Sequence, residues 1–299
     1  MKIKLSAITD IGKEREHNED AFVLCPDLSN PDWSLDETAV HLSLGPYGSL
    51  AVVADGMGGA NAGDVASSMA IDAIKKHFTT HALGEVIKSD TAICQFLSDY
   101  VKDASESIQT HAFDHPETAG MGTTIVVCWI LKQEDETKAH IAWCGDSRCY
   151  LYNPKEGLRQ LTKDHSYVQD LVDKGEITEE EAFNHPDGNL ITRGLGDLDF
   201  DAQADFVSHT LQAGDWLLLC SDGLCGYCTN EAIANAVKGV YPDVTACRDR
   251  LLKVALDAGG YDNITIAIVS AIGDDEAEPK KVANDGGFLK WFKGLFCKG

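Results

Sequence analysis

Helical segments in this sequence come in consecutive pairs between groups of short strands, and this pattern restricts the folds open to the chain. Apolar residues at helical spacing predict helices over residues 65–78 and 93–108, and a second pair over 230–237 and 243–257. A doubly wound parallel sheet needs one helix between successive strands, so the pairing favours stacked antiparallel sheets flanked by helix pairs. Nine apolar or β-branched runs predict the strands: IKLSAIT, AFVLC, LAVVA, TTIVVCWIL, HIAWC, CYLY, LITRGL, WLLLC and NITIAIVSA.

The 299 residues divide by composition into a domain over residues 1–272 and a tail. Within the domain, residues 162–193 are polar with two short helical pieces, and this inserted segment, the flap, is typical of a cover over a site. Residues 273–287 are an acidic linker containing Gly. Residues 288–299, FLKWFKGLFCKG, predict a short amphipathic helix, which could dock on the chain's own surface, on a partner protein or weakly on a membrane.

The charge balance is 25 Lys and Arg against 48 Asp and Glu, a net charge of −23, and with no basic cluster it argues against nucleic-acid binding. The acid is either a solvated surface or, in part, a set of ligands for hard cations. The ten cysteines are scattered and Cys225 and Cys228 form a lone C-x-x-C, so we expect reduced core thiols. The sequence has no apolar run suited to a signal peptide or a membrane span, and we expect a cytoplasmic protein.

Carboxylates recur at the ends of the predicted strands. Asp55 and Asp222 each follow an apolar run, Asp262 comes just before one, and Glu19 and Asp20 come just before another. A single Asp-Gly is usually a turn. Because neighbouring strands bring their ends together, four such segments favour a cluster of carboxylates, which would repel one another unless protonated or bridged by cations. Oxygen ligands without histidine indicate Mg²⁺ or Mn²⁺.

Two further residues extend this hypothesis. Gly56 has no Cβ, so its carbonyl can approach a cation closely. Arg15, five residues before Asp20, is either part of a surface salt bridge or a planar fork for phosphate oxygens. Two cations about 3.5–4 Å apart can hold a hydroxide for in-line attack on phosphorus, so the set predicts metal-assisted hydrolysis of a phosphate ester.

Eight short motifs follow one another along the chain: REHNED at 15–20, DGMGG at 55–59, GTT at 122–124, GDSR at 145–148, LTKDHS at 161–166, ITRGLG at 191–196, SDGL at 221–224 and DNIT at 262–265. In these motifs and their order, over residues 5 to 270, the chain resembles the metal-dependent serine/threonine protein phosphatases of the PP2C (PPM) family in their bacterial form. That resemblance implies an α+β fold, an α/β/β/α sandwich of two antiparallel sheets between helix pairs.

The resemblance also implies roles for the metal ligands. Asp55 would bridge two Mn²⁺ or Mg²⁺ ions, the Gly56 carbonyl would bind one, and Asp222 and Asp262 would complete the other. Asp146 of GDSR, together with Asp222, would form the third metal site found in bacterial members.

Three residues would act around these ions. Asp20 with Glu19 would hold metal-bound waters, and Arg15 would grip the substrate phosphate. Phosphoserine and phosphothreonine proteins would be the substrates, opposite a Ser/Thr kinase, and we expect a monomer. A pseudophosphatase or a recruitment module that binds phosphoproteins is the alternative; it predicts loss of metal carboxylates, and none is lost.

The chain departs from its relatives at the leaving-group acid. Met57 stands where animal members carry a histidine, and Ala60 stands where many bacterial members carry one. A metal-bound water is then the expected proton donor, with His165 and His185 of the flap as weaker candidates.

Overall fold

Antiparallel strands dominate the computed structural model, which describes residues 1–33, 40–58, 62–196 and 202–273. Within these residues the strands are β1 (Lys2–Asp10), β2 (Ala21–Cys25), β3 (Val40–Ser43), β4 (Ser49–Ala54), β5 (Gly56–Met57), β6 (Gly122–Thr123), β7 (Ile125–Gln133), β8 (Glu136–Cys144), β9 (Arg148–Asn153), β10 (Gly157–Gln160), β11 (Asp205–Thr210), β12 (Trp216–Cys220) and β13 (Ile264–Ile272).

Two large sheets and one small ribbon result from these strands. The six-stranded sheet has the order β10-β9-β12-β13-β1-β3, the five-stranded sheet has the order β11-β8-β7-β4-β2, and β5 pairs with β6. Leu5 and Val269 of the first large sheet share a buried cluster with Val53 and Val126 of the second. The two sheets therefore pack face to face on a common core.

Helices cover the outer face of each sheet, in the pairs that the periodicity predicts. Ala70 and Leu97 of the first pair pack with Val127 of the five-stranded sheet, while Ile233 and Leu251 of the second pair pack under the six-stranded sheet. The four-layer α/β/β/α sandwich is confirmed. The helices are α1 (Gly63–Thr80), α2 (Leu83–Val86), α3 (Asp90–Asp114), α4 (Tyr167–Asp173), α5 (Glu179–Phe183), α6 (Asp222–Cys225), α7 (Asn230–Lys238) and α8 (Val244–Asp257).

One strand prediction is wrong, and three strands are not predicted. LITRGL makes only isolated bridges, through Ile191 to Ser166 and through Leu195 to Thr123, because it closes the flap instead of extending a sheet. The structure also contains β3, β10 and β11, which the apolar runs do not predict. All three are edge strands, and an edge strand can carry polar residues because one side of it is open to solvent.

The flap contains the two short helices, α4 and α5, that its sequence indicates. Nine cysteines lie within the described residues without a disulfide, and eight of them are buried, including Cys225 and Cys228. Residues 274–299, with most of the linker and the whole amphipathic segment, lie outside the described residues. Among the helices that the structure describes, none is long and apolar enough to cross a membrane.

Candidate active site

A cavity of about 580 Å³ opens where strands of both large sheets end. Asp55 follows β4, Asp222 follows β12, Asp262 precedes β13, and Asp146 lies between β8 and β9. The predicted convergence of strand-end carboxylates is therefore present in the structure. The lining consists of Arg15, Glu16, His17, Glu19, Asp55, Gly56, Met57, Gly58, Thr124, Asp146, Asn189, Ile191, Asp222, Tyr227 and Asp262.

Threonines between the strand ends connect the loops that carry Asp55 and Asp146. The Thr124 hydroxyl lies 2.7 Å from the Ser147 hydroxyl and accepts a hydrogen bond from the Asp55 N–H at 3.3 Å. The Thr123 hydroxyl donates to the Asp55 carbonyl at 2.8 Å. These bonds hold the Asp55 backbone at a fixed position beside the GDSR loop.

Asp20 is not among the residues that line the cavity and is only partly exposed. Its Oδ2 accepts a hydrogen bond from the Ser221 hydroxyl at 2.7 Å, whereas its Oδ1 is buried and has no hydrogen-bond partner within the described residues. Burial raises the pKa of Asp20 to about 7, despite the hydrogen bonds from Ser221 and Thr265, and the charge of Asp222 adds to the rise. A buried carboxylate oxygen without a partner is the group that a cation or its water shell would satisfy.

Three other aspartates also have raised pKa values, because they are partly buried and lie close to other carboxylates. Burial and the charge of Asp222 raise the pKa of Asp55 and of Asp146 well above the ordinary range. Burial and the charge of Asp262 raise the pKa of Asp222 to about 6, against a hydrogen bond with Asp55 that lowers it. We call Asp20, Asp55, Asp146 and Asp222 the acidic centre. Its members favour protons or cations because each carboxylate is desolvated beside another.

The carboxylates of this site suit hard cations that are each held by only one or two side chains. Among the described residues, no three His, Cys, Asp or Glu side chains converge on one metal position. Asp262 explains part of this, because its Oδ2 accepts a hydrogen bond from Arg15 at 2.6 Å. Mg²⁺ and Mn²⁺ sites often combine one or two carboxylates with water, so the set suits such ions.

Gly56 is confined by backbone on two sides. A Cβ on Gly56 would overlap the carbonyl oxygens of Gly63 and Glu19. Its N–H donates to the Glu19 carbonyl at 3.2 Å. Only glycine fits here, which brings the start of α1 and the Glu19 segment against the Asp55 loop.

Arg15 lies at the mouth of the cavity with about half of its side chain exposed. In this structure its guanidinium binds Asp262, so the salt bridge weighed from the sequence is present, with a partner in the site itself. Burial raises the pKa of Glu19, and the positive charge of Arg15 partly offsets this rise. Arg15 thus neutralises part of the charge at the rim.

Asn263 holds the segment that carries Arg15, and the sequence reasoning missed it. Its amide donates to the carbonyls of Ile11 at 3.0 Å and His17 at 2.9 Å, while its Oδ1 accepts the Glu19 N–H at 2.8 Å. Asn263 is buried. The sequence does place a polar amide directly before an apolar strand, and such a group, when buried, needs hydrogen-bond partners. That position could have indicated a structural role for Asn263.

The base of the flap is tied to the site by an ion pair. Arg148 of the GDSR motif binds Asp164 through Nε and Nη2 at 2.6–3.0 Å, and Gln160 donates to the same carboxylate at 3.0 Å. The other end of the flap contributes Asn189 and Ile191 to the lining of the cavity.

The two flap histidines do not line the cavity. His165 is buried; its Nδ1 accepts the Gly145 N–H at 3.1 Å, and its Nε2 lies 3.3 Å from Asp205. His185 accepts the Asp187 N–H at 3.1 Å. Met57 lines the cavity, and Ala60 lies outside the described residues.

A four-layer sandwich with buried carboxylates at the ends of its strands has the architecture of a metal-dependent phosphatase. Comparison with known proteins agrees. Residues 35–256 match the model of the family described as Protein phosphatase 2C. This chain belongs to that family, as the motifs indicate, and it is an enzyme of the protein phosphatase class.

Several bacterial relatives resemble the chain over nearly its whole length. Protein phosphatase PhpP of Streptococcus pneumoniae is 32% identical over 277 residues, which cover 92% of this chain and 100% of PhpP. The crystal structure of serine/threonine phosphatase Stp1 from Staphylococcus aureus superposes with a TM-score of 0.75 at 32% identity, covering 90% of this chain and 95% of that one.

One similar structure contains metal ions. The catalytic domain of PstP in complex with two manganese ions has a TM-score of 0.70 and 30% identity, covering 91% of this chain and 100% of that domain. The ions belong to that protein, and they agree with the type of cation that the carboxylates here would bind.

Proposed function

We propose that this chain is a serine/threonine protein phosphatase that hydrolyses phosphoserine and phosphothreonine esters with two Mn²⁺ or Mg²⁺ ions. The observation that carries the proposal is the acidic centre, in which burial raises the pKa of four neighbouring aspartates and leaves one oxygen of Asp20 without a partner. When bound, the two cations would supply a bridging hydroxide as nucleophile and neutralise charge on the phosphate.

The residues of the chain divide the remaining work. Asp55 and Asp222, with the Gly56 carbonyl and Asp262, would hold the cations, and Asp20 with Glu19 would orient water around them. Asp146 faces Asp222, whose charge contributes to its raised pKa, and with it would form a third and weaker cation site.

Arg15 would bind the phosphate at the rim. Its exposed guanidinium carries a planar fork suited to paired phosphate oxygens. Its bond to Asp262 places this fork beside the cation ligands, so a phosphate bound there would bridge the two parts of the site. Substrates would be phosphoserine and phosphothreonine proteins, in keeping with the name of a relative, Serine/threonine phosphatase stp. A Ser/Thr kinase would supply them.

Metal removal tests the proposal. Turnover of a phosphothreonine peptide should vanish in excess EDTA and return with Mn²⁺ or Mg²⁺, and Asp222→Asn should lose nearly all turnover with metal present. Asp257→Asn, which changes an exposed aspartate on α8, is the matched control and should behave as wild type. Full activity in EDTA would overturn the proposal. Peptide binding without any hydrolysis in Mn²⁺ would instead favour the binding module.

A further inference from the structure

Two tyrosines form an exposed aromatic pair at the rim of the cavity. Tyr227, two residues after α6, lines the cavity, and Tyr261 directly precedes Asp262. The ring centroids lie 5.4 Å apart with an interplanar angle of 43°. Tyr227 is 39% exposed and Tyr261 is 54% exposed, although aromatic rings of this size are usually more buried.

The turn before Asp262 lets the Tyr261 ring lie close to the backbone. Gly259 has a φ of +131°, and a Cβ at Gly259 would overlap the ring of Tyr261. The ring therefore lies against bare backbone and also contacts Tyr227. Only glycine at position 259 allows the ring to lie this close to the backbone.

The charge around this pair favours a cation. Among the described residues that line the cavity, six are carboxylates and Arg15 is the only Lys or Arg. The lining side chains therefore carry an excess of negative charge, and the whole chain carries −23.

We propose that Tyr227 and Tyr261 form a platform for a basic side chain of the substrate, an arginine or lysine close in sequence to the phosphorylated residue. The proposal rests on the proposed function, since it assumes that a phosphopeptide occupies the cavity. Cations bind the faces of tyrosine rings within about 6 Å of the centroid, and the negative lining strengthens that attraction. An apolar flanking residue would gain contact with the rings but nothing from the charge.

Paired peptides separate these possibilities. One set carries a phosphothreonine and a single arginine, placed in turn at each of several positions on either side. The matched set carries citrulline, which has nearly the same shape without the charge, and a third set carries norleucine. The measured quantity is the ratio of kcat/KM for each arginine peptide to that for its citrulline partner, with Mn²⁺ present.

Wild-type enzyme should prefer arginine at one or more positions by about two- to five-fold, the range expected for a cation–π contact at an exposed site. The ratio should fall to about one in the Tyr227→Leu/Tyr261→Leu double variant. It should remain near the wild-type value when both are changed to Phe, which keeps the ring faces and guards against a folding artefact. Phe113→Leu, at an exposed aromatic on α3, is the control and should keep the wild-type ratio.

Each other outcome overturns the inference. An arginine preference that persists in the double Leu variant would assign it to the general charge of the site and not to the tyrosines. Equal turnover of arginine and citrulline peptides, or a preference for norleucine, would remove the cation. If no phosphopeptide is hydrolysed with Mn²⁺, the proposed function fails as well, whereas hydrolysis without any preference overturns the platform alone.

Discussion

The aspartates of the acidic centre face other carboxylates, whereas the two aspartates at the base of the flap, Asp164 and Asp205, face cationic or hydrogen-bonding side chains. In the acidic centre, burial and neighbouring carboxylates raise the pKa of Asp55 and Asp222. At the flap base, burial alone would raise the pKa of Asp205, but hydrogen bonds from His165 and Arg193 outweigh it and lower the pKa. Asp164 likewise faces the Arg148 guanidinium.

This difference distinguishes a ligand-binding site from a contact that only stabilises the fold. The flap base is complete within the chain, because each carboxylate has a cationic or hydrogen-bonding partner. The acidic centre is incomplete, because its carboxylates face one another and Asp20 Oδ1 lacks a partner within the described residues. Perturbed groups that only an outside ligand can satisfy mark functional sites more reliably than buried ion pairs do.

Removing a charge from the acidic centre should have the largest effect on activity. Asp55→Asn should lower kcat/KM more than about 100-fold, since even residues that only support a metal ligand cost 10–100-fold. The same change should raise the thermal midpoint of the metal-free enzyme, because one of several facing charges is gone. Calorimetry in EDTA measures this, with Asp257→Asn as control. A fall in both activity and metal-free stability would contradict the comparison.

Removing a charge from the flap base should have the opposite effect on stability. Asp164→Asn leaves Arg148 mostly buried without its carboxylate, which should cost about 3 kcal/mol of unfolding free energy. Urea unfolding in EDTA measures the loss. Asp173→Asn, at an exposed ion pair of the same flap, is the control and should leave the midpoint unchanged. If Asp164→Asn left the unfolding free energy unchanged or raised it, the ion pair of Asp164 with Arg148 would not stabilise the fold.

Arg15 has two roles: it pairs with Asp262 in this structure, and it would bind the substrate phosphate in the complex. Arg15→Ala should lower kcat/KM by about 10–150-fold, the equivalent of about 1.5–3 kcal/mol for a charge-assisted contact. Mn²⁺ affinity, measured by calorimetric titration, should change little. Equal loss of metal binding would show that Arg15 acts by organising Asp262 and not by holding phosphate.

The sequence predicts the acidic centre better than it predicts the residues that support it. Asp55 and Asp222 are visible because each directly follows an apolar run, and sheet formation brings strand ends together. Asn263 and Tyr227 are not visible in this way. Asn263 acts on Ile11 and His17, about 250 residues away, and such long-range contacts leave no local pattern.

The fold shows the same division. The helix pairs and the buried strands have strong periodicity, so the layers are predictable. The edge strand β11 is not, because its residues are only partly buried and its place depends on pairing with β8. The run LITRGL has the opposite problem. Its sequence predicts a strand, but it forms only single bridges to Ser166 and Thr123 and does not pair along a neighbouring strand.

The smallest expected effect concerns Asp205, which binds Arg193 at 2.9 Å but has about half of its side chain exposed. Because its pKa in the folded state lies below the unfolded value near 3.9, the ionised carboxylate stabilises the fold at neutral pH. Asp205→Asn should therefore lower the unfolding free energy by at most about 1 kcal/mol at pH 7, since solvent screens the pair. As the pH falls through the folded pKa, both states bind the proton and the contribution disappears. Urea unfolding of both proteins should show a gap in unfolding free energy at pH 7 that narrows as the pH falls below the unfolded value near 3.9. A gap that stays the same size as the pH falls would mean that Asp205 stabilises the flap base through packing and not through its charge.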